Sequence, residues 1–121
     1  SPLGAKVAVL GITFKENCPD LRNTKIPDII NYLQTYGCEI TVLDPYADLN
    51  EAKNSYNINL EDITQINNMD TVILGVAHNQ YISMKKEEWK NILNEKGVFI
   101  DVKSIYPKDF FNGTNITHWR L

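Results

Sequence analysis

Lys15 and Arg22 fall in one polar stretch, from Ile12 to Thr24, and Lys103 falls near the far end of the chain. A lysine ammonium is a mobile point charge for phosphate, whereas an arginine offers a planar fork of donors. Cations converging from two loops would grip a phosphate-bearing ligand. The same residues also fit a plainer arrangement, solvated or paired with Glu16, Asp20 and Asp101. Residue types and spacing leave both open. His78, placed after an apolar run, has the chemistry of an acid or base, but a hydrogen-bonded loop histidine is the plainer reading. Cys18 has no neighbouring base to activate it as a nucleophile. No Ser-His-acid arrangement, H-E-x-x-H or Walker sequence is present, so neither a catalytic residue nor a metal ligand set is expected.

The elements that must position these groups alternate. Lys6-Val7-Ala8-Val9-Leu10-Gly11 reads as a buried strand. Thr24 is a candidate cap for a helix with Pro27 in its first turn, where no N–H donor is needed. Ile26, Ile29, Ile30 and Leu33 supply its apolar face, and Gly37 ends it. Glu39 to Asp44 is a second strand, stopped by Pro45, and Tyr46 to Tyr56 is left unassigned. Asn59 is predicted to cap a short helix carrying Leu60, Ile63 and Ile66, with Glu61 and Asp62 near its positive end. Asp70 to Val76 is a third strand, buried on both faces. Ser83 is predicted to cap a helix to about Asn94, Val98 to Val102 forms a fourth strand, and Thr117 to Leu121 adds an edge strand. Tyr32, Tyr36, Trp89, Phe99 and Trp119 are expected in the core or at its edge rather than as base-stacking platforms.

This βα alternation predicts an α/β, Rossmann-like three-layer sandwich with a mostly parallel sheet. The chain of 121 residues is the size of one domain, residues 1–121, with the first four reading as a boundary stretch. A hydrophobic fraction of 43% suits a globular protein, and a net charge of -3 argues against a general nucleic-acid binder. No apolar run reaches membrane-span length and no secretory leader opens the chain. The isolated Cys18 and Cys38 suggest neither zinc nor a disulfide framework, which points to a reducing cytoplasm.

Ligands of an open parallel sheet sit beyond the carboxyl ends of its strands. Those ends are Ile12 to Asn23, Asp44 to Tyr46, Ala77 to Tyr81, and Lys103 to Tyr106. A dinucleotide fold would place G-x-G-x-x-G in the first of them. Here the run is Gly11-Ile12-Thr13-Phe14-Lys15-Glu16, with only the first glycine kept. Asp44 stands roughly where a ribose-binding acid would, yet without those glycines it reads as a turn or cap residue before Pro45.

The whole stretch from Gly11 to Thr24, G-I-T-F-K-E-N-C-P-D-L-R-N-T, closely resembles the G-x-[TA]-F-K-x-x-x-x-D-x-R-x-[ST] loop of the UDP-glucose/GDP-mannose dehydrogenase family. Val42-Leu43-Asp44-Pro45, Val76-Ala77-His78, Asp101-Val102-Lys103 and the closing Thr117-His118-Trp119-Arg120-Leu121 extend the resemblance over about Lys6 to Leu121. The Glu16 to Arg22 wording is most similar to the branch acting on UDP-N-acetylhexosamines for surface polysaccharides. The resemblance implies a C-terminal, UDP-sugar-binding domain of an enzyme that oxidises a sugar C6 alcohol to a carboxylate with NAD. It also implies that the NAD-binding domain and the nucleophilic cysteine lie N-terminal to this segment, and that Cys18 is not that cysteine. Lys15 matches a substrate-contacting lysine, with Phe14 beside it, and Arg22 matches an arginine reaching the cofactor across the cleft. Lys103 stands where arginine is frequent, keeping the cation and losing the fork. The implied partners are a UDP-sugar and the N-terminal domain, in a full-length enzyme that is a homo-oligomer.

Two other classes compete. A signalling receiver domain shares the length and the sandwich, but needs an acidic pair after the first strand and an acceptor aspartate after the third. Thr13-Phe14-Lys15 and Ala77-His78 occupy those places. A non-catalytic nucleotide-binding or assembly module of Rossmann-like fold is the remaining alternative.

Overall fold

Short, β-branched runs bounded by glycine and proline build the sheet. The computed structural model describes residues 3–121, and Ser1 and Pro2 of the boundary stretch lie outside the described residues. The strands are β1 (Lys6–Leu10), β2 (Glu39–Leu43), β3 (Met69–Leu74), β4 (Leu93–Asp101) and β5 (Thr117–Arg120). All pair in parallel, in the order β2-β1-β3-β4-β5. Thr117 to Arg120 therefore is the edge strand its sequence suggested.

Side chains alternate across each strand, so the sheet buries two apolar faces. Ala8, Leu10, Val72, Leu74 and Phe99 pack beneath Tyr81, Trp89, Ile92 and Phe111. On the other face Val7, Val9 and Ile73 meet Ile26 and Ile30 of α1 (Ile26–Gln34) and Ala52 of α2 (Leu49–Tyr56). This is the expected three-layer α/β sandwich. Trp89 and Phe99 are fully buried, with their rings edge-on at 4.9 Å, and the Trp89 Nε1–H donates to Tyr106 Oη at 3.0 Å. Tyr32, Tyr36 and Trp119 instead lie on the surface, between 49% and 62% exposed. The two tyrosines make an edge-on pair with their hydroxyls 2.9 Å apart.

Local capping decided where the sequence reading missed. The unassigned stretch contains α2, whose start is fixed by Asp48 accepting from the Glu51 N–H at 2.8 Å. The Asn59-capped helix does not form. Leu60 bridges to Val42, the Glu61 N–H donates to the Val42 carbonyl at 2.8 Å, and only a 3₁₀ turn, Ile63–Gln65, follows under an Asp62 cap. Ser83 closes a short helix, α3 (Asn79–Ile82), rather than opening a long one. The next helix, α4 (Lys86–Ile92), starts where Glu88 accepts from the Lys85 N–H at 3.0 Å, and Leu93 and Asn94 already belong to β4. Thr24 sits one residue before the α1 cap position. Its hydroxyl still accepts from the Ile26 N–H at 3.3 Å and donates to the Ile12 carbonyl at 2.6 Å, tying the first loop to the helix.

Phe99 is the centre of the aromatic layer. Phe99→Ala is expected to lower the unfolding free energy by about 3–5 kcal/mol, read from urea denaturation. A loss under about 1 kcal/mol would place the ring outside the cooperative core.

Candidate functional site

From β1 the chain moves outward to β2 on one side and reaches β3 on the other, so strand order reverses between β1 and β3. In open parallel sheets, ligands bind outside the carboxyl ends of the strands at such a switch point. Gly11 makes the first turn possible. Its φ is +88°, and a Cβ there would lie 2.8 Å from both the Cβ and the backbone N of Val76.

At this end of the sheet lies the carboxylate of Asp44, its side chain fully buried. Oδ2 accepts from the N–H groups of Ile12 at 2.7 Å and Thr13 at 3.2 Å, and Oδ1 from those of Tyr46 at 2.8 Å and Ala47 at 3.0 Å. His78, also fully buried, places Nε2 3.0 Å from Oδ2. Its Nδ1 accepts from the Asn17 N–H at 2.9 Å, so the ring proton is assigned to Nε2 and is donated to Asp44. Burial alone would raise the Asp44 carboxyl. The hydrogen bonds from His78 and from the Ile12 and Tyr46 amides outweigh it and hold the group below the usual carboxylate range.

This anchor fixes the loop that carries the first cation. Asn17, in the left-handed region at φ 58°, returns the contact through Oδ1, which accepts from the Asn79 N–H at 2.8 Å. The Thr13 hydroxyl donates to the Lys15 carbonyl at 3.0 Å, the Phe14 N–H donates to the Asp20 carbonyl at 2.7 Å, and Leu21 plugs the core. Phe14 is left 57% exposed with Lys15 beside it, also exposed.

Lys103 is presented similarly, after β4. The buried Asp101 carboxylate accepts from the Ile105 N–H at 3.0 Å and the Tyr106 N–H at 2.9 Å, with His118 Nε2 at 3.3 Å. The loops after β1 and β4 flank β3, about two strand spacings or ~10 Å apart. Among the described residues neither Lys15 nor Lys103 enters an ion pair. Arg22 does. Its Nε and Nη2 each lie 3.0 Å from an Asp20 oxygen, and the side chain is 82% exposed. That pair lowers the Asp20 carboxyl and raises the Arg22 guanidinium. The plainer arrangement therefore holds for all three, Arg22 being paired and the two lysines exposed to solvent.

The arrangement also bears on NAD. The amides of Ile12 and Thr13, which a pyrophosphate would need, are already taken by Asp44. Asp44 in turn has no lone pair directed at a ribose. The edge of this sheet does not fit a dinucleotide.

A family model described as "UDP-glucose/GDP-mannose dehydrogenase family, UDP binding domain" matches residues 8–108. The chain belongs to that family. It is 44% identical over 118 residues to Protein CapL of Staphylococcus aureus, covering 98% of this chain and 27% of the relative. With the UDP-N-acetyl-D-glucosamine 6-dehydrogenase of Salmonella typhi it shares 36% identity over 106 residues, 88% of this chain and 25% of the relative. Among solved structures, the NDP-N-acetyl-D-galactosaminuronic acid dehydrogenase from Methanosarcina mazei Go1 superposes with a TM-score of 0.86 at 25% identity. That match covers 98% of this chain and 25% of the other. The chain thus spans about a quarter of the length of these relatives. No helix among the described residues is long and apolar enough to cross a membrane.

The sequence singles out Phe14, Lys15, Arg22 and Lys103 as candidates, but not the contacts that hold their loops. The sequence presents Asp44 as a turn residue and His78 as a loop histidine, and each is that. Their pairing, 34 residues apart, and the part of Asn17 follow only from the strand order.

Asp44→Asn keeps the shape but turns an amide NH₂ toward backbone donors. It is expected to cost about 2–4 kcal/mol at pH 7. Because the folded carboxyl titrates below its ordinary value of about 3.9, the charge contributes fully above that pH. The contribution fades as pH falls through the depressed value. Urea melts should show a gap between the two proteins that is flat from about pH 7 to pH 5 and narrows below about pH 4. Narrowing that begins above pH 5 would contradict the assignment.

Proposed function

We propose that this chain is the nucleotide-sugar-binding domain of an NAD-dependent UDP-sugar 6-dehydrogenase serving surface polysaccharide synthesis. In that enzyme it acts with an N-terminal domain that holds NAD and supplies the nucleophilic cysteine. The observation that carries this reading is the loop after β1, where the dinucleotide glycines are absent and Phe14 and Lys15 are both exposed. Lys15 neutralises phosphate charge of the UDP moiety, Phe14 packs against the ligand, and Lys103 adds a second positive charge from the far side of β3. Membership of a UDP binding domain family and relatives named as UDP-N-acetylhexosamine dehydrogenases support the ligand class.

Arg22 is assigned to the cofactor side of the interdomain cleft. Its Asp20 partner is on the surface, where solvent screening makes an ion pair weak, so exchange of that carboxylate for a ligand phosphate is inexpensive. Holding the UDP end fixes the sugar relative to the reacting groups, and that orientation raises turnover as well as affinity. NAD supplies the oxidising equivalents from the other domain, and no residue of this chain performs the redox step.

Calorimetry on the 121-residue chain checks the assignment. UDP should bind, NAD should give no heat, and the chain should oxidise no UDP-sugar. Lys15→Ala and Lys103→Ala should each weaken UDP by about 10- to 100-fold, the value of a charge-assisted contact. UDP affinity unchanged in Lys15→Ala would remove the proposed site.

A further inference from the structure

His118 carries a feature that packing does not explain. Its side chain is 95% buried, leaving 5% exposed, in an aromatic corner with Phe99 at 5.6 Å and Phe111 at 5.4 Å, both edge-on. Nδ1 is buried without a hydrogen-bond partner. A phenylalanine would fill this corner without stranding a polar atom, so the unpartnered Nδ1 is an energetic liability to the core. The polar contact that the ring does make is from Nε2 to Asp101 Oδ2, at 3.3 Å.

Asp101 directs its remaining contacts into the turn that bears Lys103. Its carboxylate accepts from the Ile105 and Tyr106 amides, and its carbonyl accepts from the Ser104 and Leu121 amides, each at 3.2 Å. Ser104 sits in the left-handed region at φ 53° and donates through Oγ to the Leu121 carbonyl at 2.6 Å. A non-glycine residue keeps that conformation when surrounding contacts over-determine it. Lys103 is the exposed residue immediately before it. The arrangement repeats the plan beneath Lys15, where a buried aspartate at the end of β2 is steered by a buried histidine and gathers the amides of a cation-bearing loop.

We propose that His118 and Asp101 form a positioning pair that pre-sets the 101–106 turn, so that the Lys103 ammonium meets the ligand phosphate without an ordering cost. The proposal rests on the nucleotide-binding reading above and names residues beyond the first loop that set its affinity. Neither residue touches the ligand. They act through Lys103, and a turn already ordered before binding loses less freedom on contact.

A thermodynamic cycle separates this role from a merely structural one. UDP binding is measured by calorimetry for the 121-residue chain and for His118→Phe, Lys103→Ala and the double variant. Amide exchange at Ile105 and Tyr106 is followed in parallel. His118→Phe should weaken UDP by about 5- to 10-fold, a loss within the range of coupled neighbours, and speed exchange at both amides. In the Lys103→Ala background the same substitution should change affinity by less than about twofold. His118→Gln, which keeps an N–H donor, should recover most of the loss.

An equal loss in both backgrounds would overturn the proposal, as would full affinity in His118→Phe beside a weakened Lys103→Ala. If His118→Phe does not melt cooperatively, Asp101→Asn is read in the same two backgrounds against the same criteria. Absence of UDP heat from the unsubstituted chain refutes the nucleotide reading itself and this proposal with it. UDP binding that is normal in Lys103→Ala refutes the role of Lys103 and this pair while leaving Lys15 standing.

Discussion

A carboxylate with no exposure to water has to be answered by donors, and in this domain that requirement organises the working end of the sheet. Asp44 closes β2, and the donors that answer it come from the turn after β1, from the turn after β2 and from His78 beyond β3. Three strand ends are therefore held in register by one side chain. Withdrawing it would leave four backbone amides and a histidine N–H to find water in a closed space, a penalty comparable to much of a small domain's stability. The conformation of the loop from Ile12 to Asn17 follows from that demand.

Functional consequences follow from which atoms the carboxylate consumes. In a dinucleotide site the amides after β1 face a pyrophosphate and the acid after β2 faces a ribose. Here the acid and the amides satisfy one another, leaving nothing at that depth for a cofactor. The loop they anchor leaves Lys15 exposed beside an exposed phenylalanine. Related parallel α/β sheets can thus present different surfaces at their carboxyl ends because one carboxylate turns inward. The Asp101 turn applies the same economy at the other side of β3, with a histidine again as the partner.

Much of this was legible in the residues. The strand runs, the α1 helix and the parallel sheet follow from periodicity, and the run from Gly11 to Thr24 is distinctive enough to identify the family before any coordinates. What escaped reading did so for identifiable reasons. The α2 helix has few apolar side chains, and its clearest mark is the three-residue spacing from Asp48 to Glu51. The false helix after Asn59 was drawn from real apolar spacing, Leu60, Ile63 and Ile66, but the amide of Glu61 found a better partner on the Val42 carbonyl. Ser83 looked like an opening cap and is a closing one, a distinction that hydroxyl chemistry does not make. The aspartate–histidine pairs span 34 and 17 residues, and only the strand order brings their members together.

The place where the nucleotide sits is the central question, and backbone resonances answer it most directly. In a ¹H–¹⁵N titration of the chain with UDP, shifts should concentrate at Phe14 to Asn17, Ala77 to Asn79, and Lys103 with Ser104, at the carboxyl ends of β1, β3 and β4. Shifts clustered instead at the opposite ends of the strands, around Ala5, Thr71 and Lys96, would contradict the account.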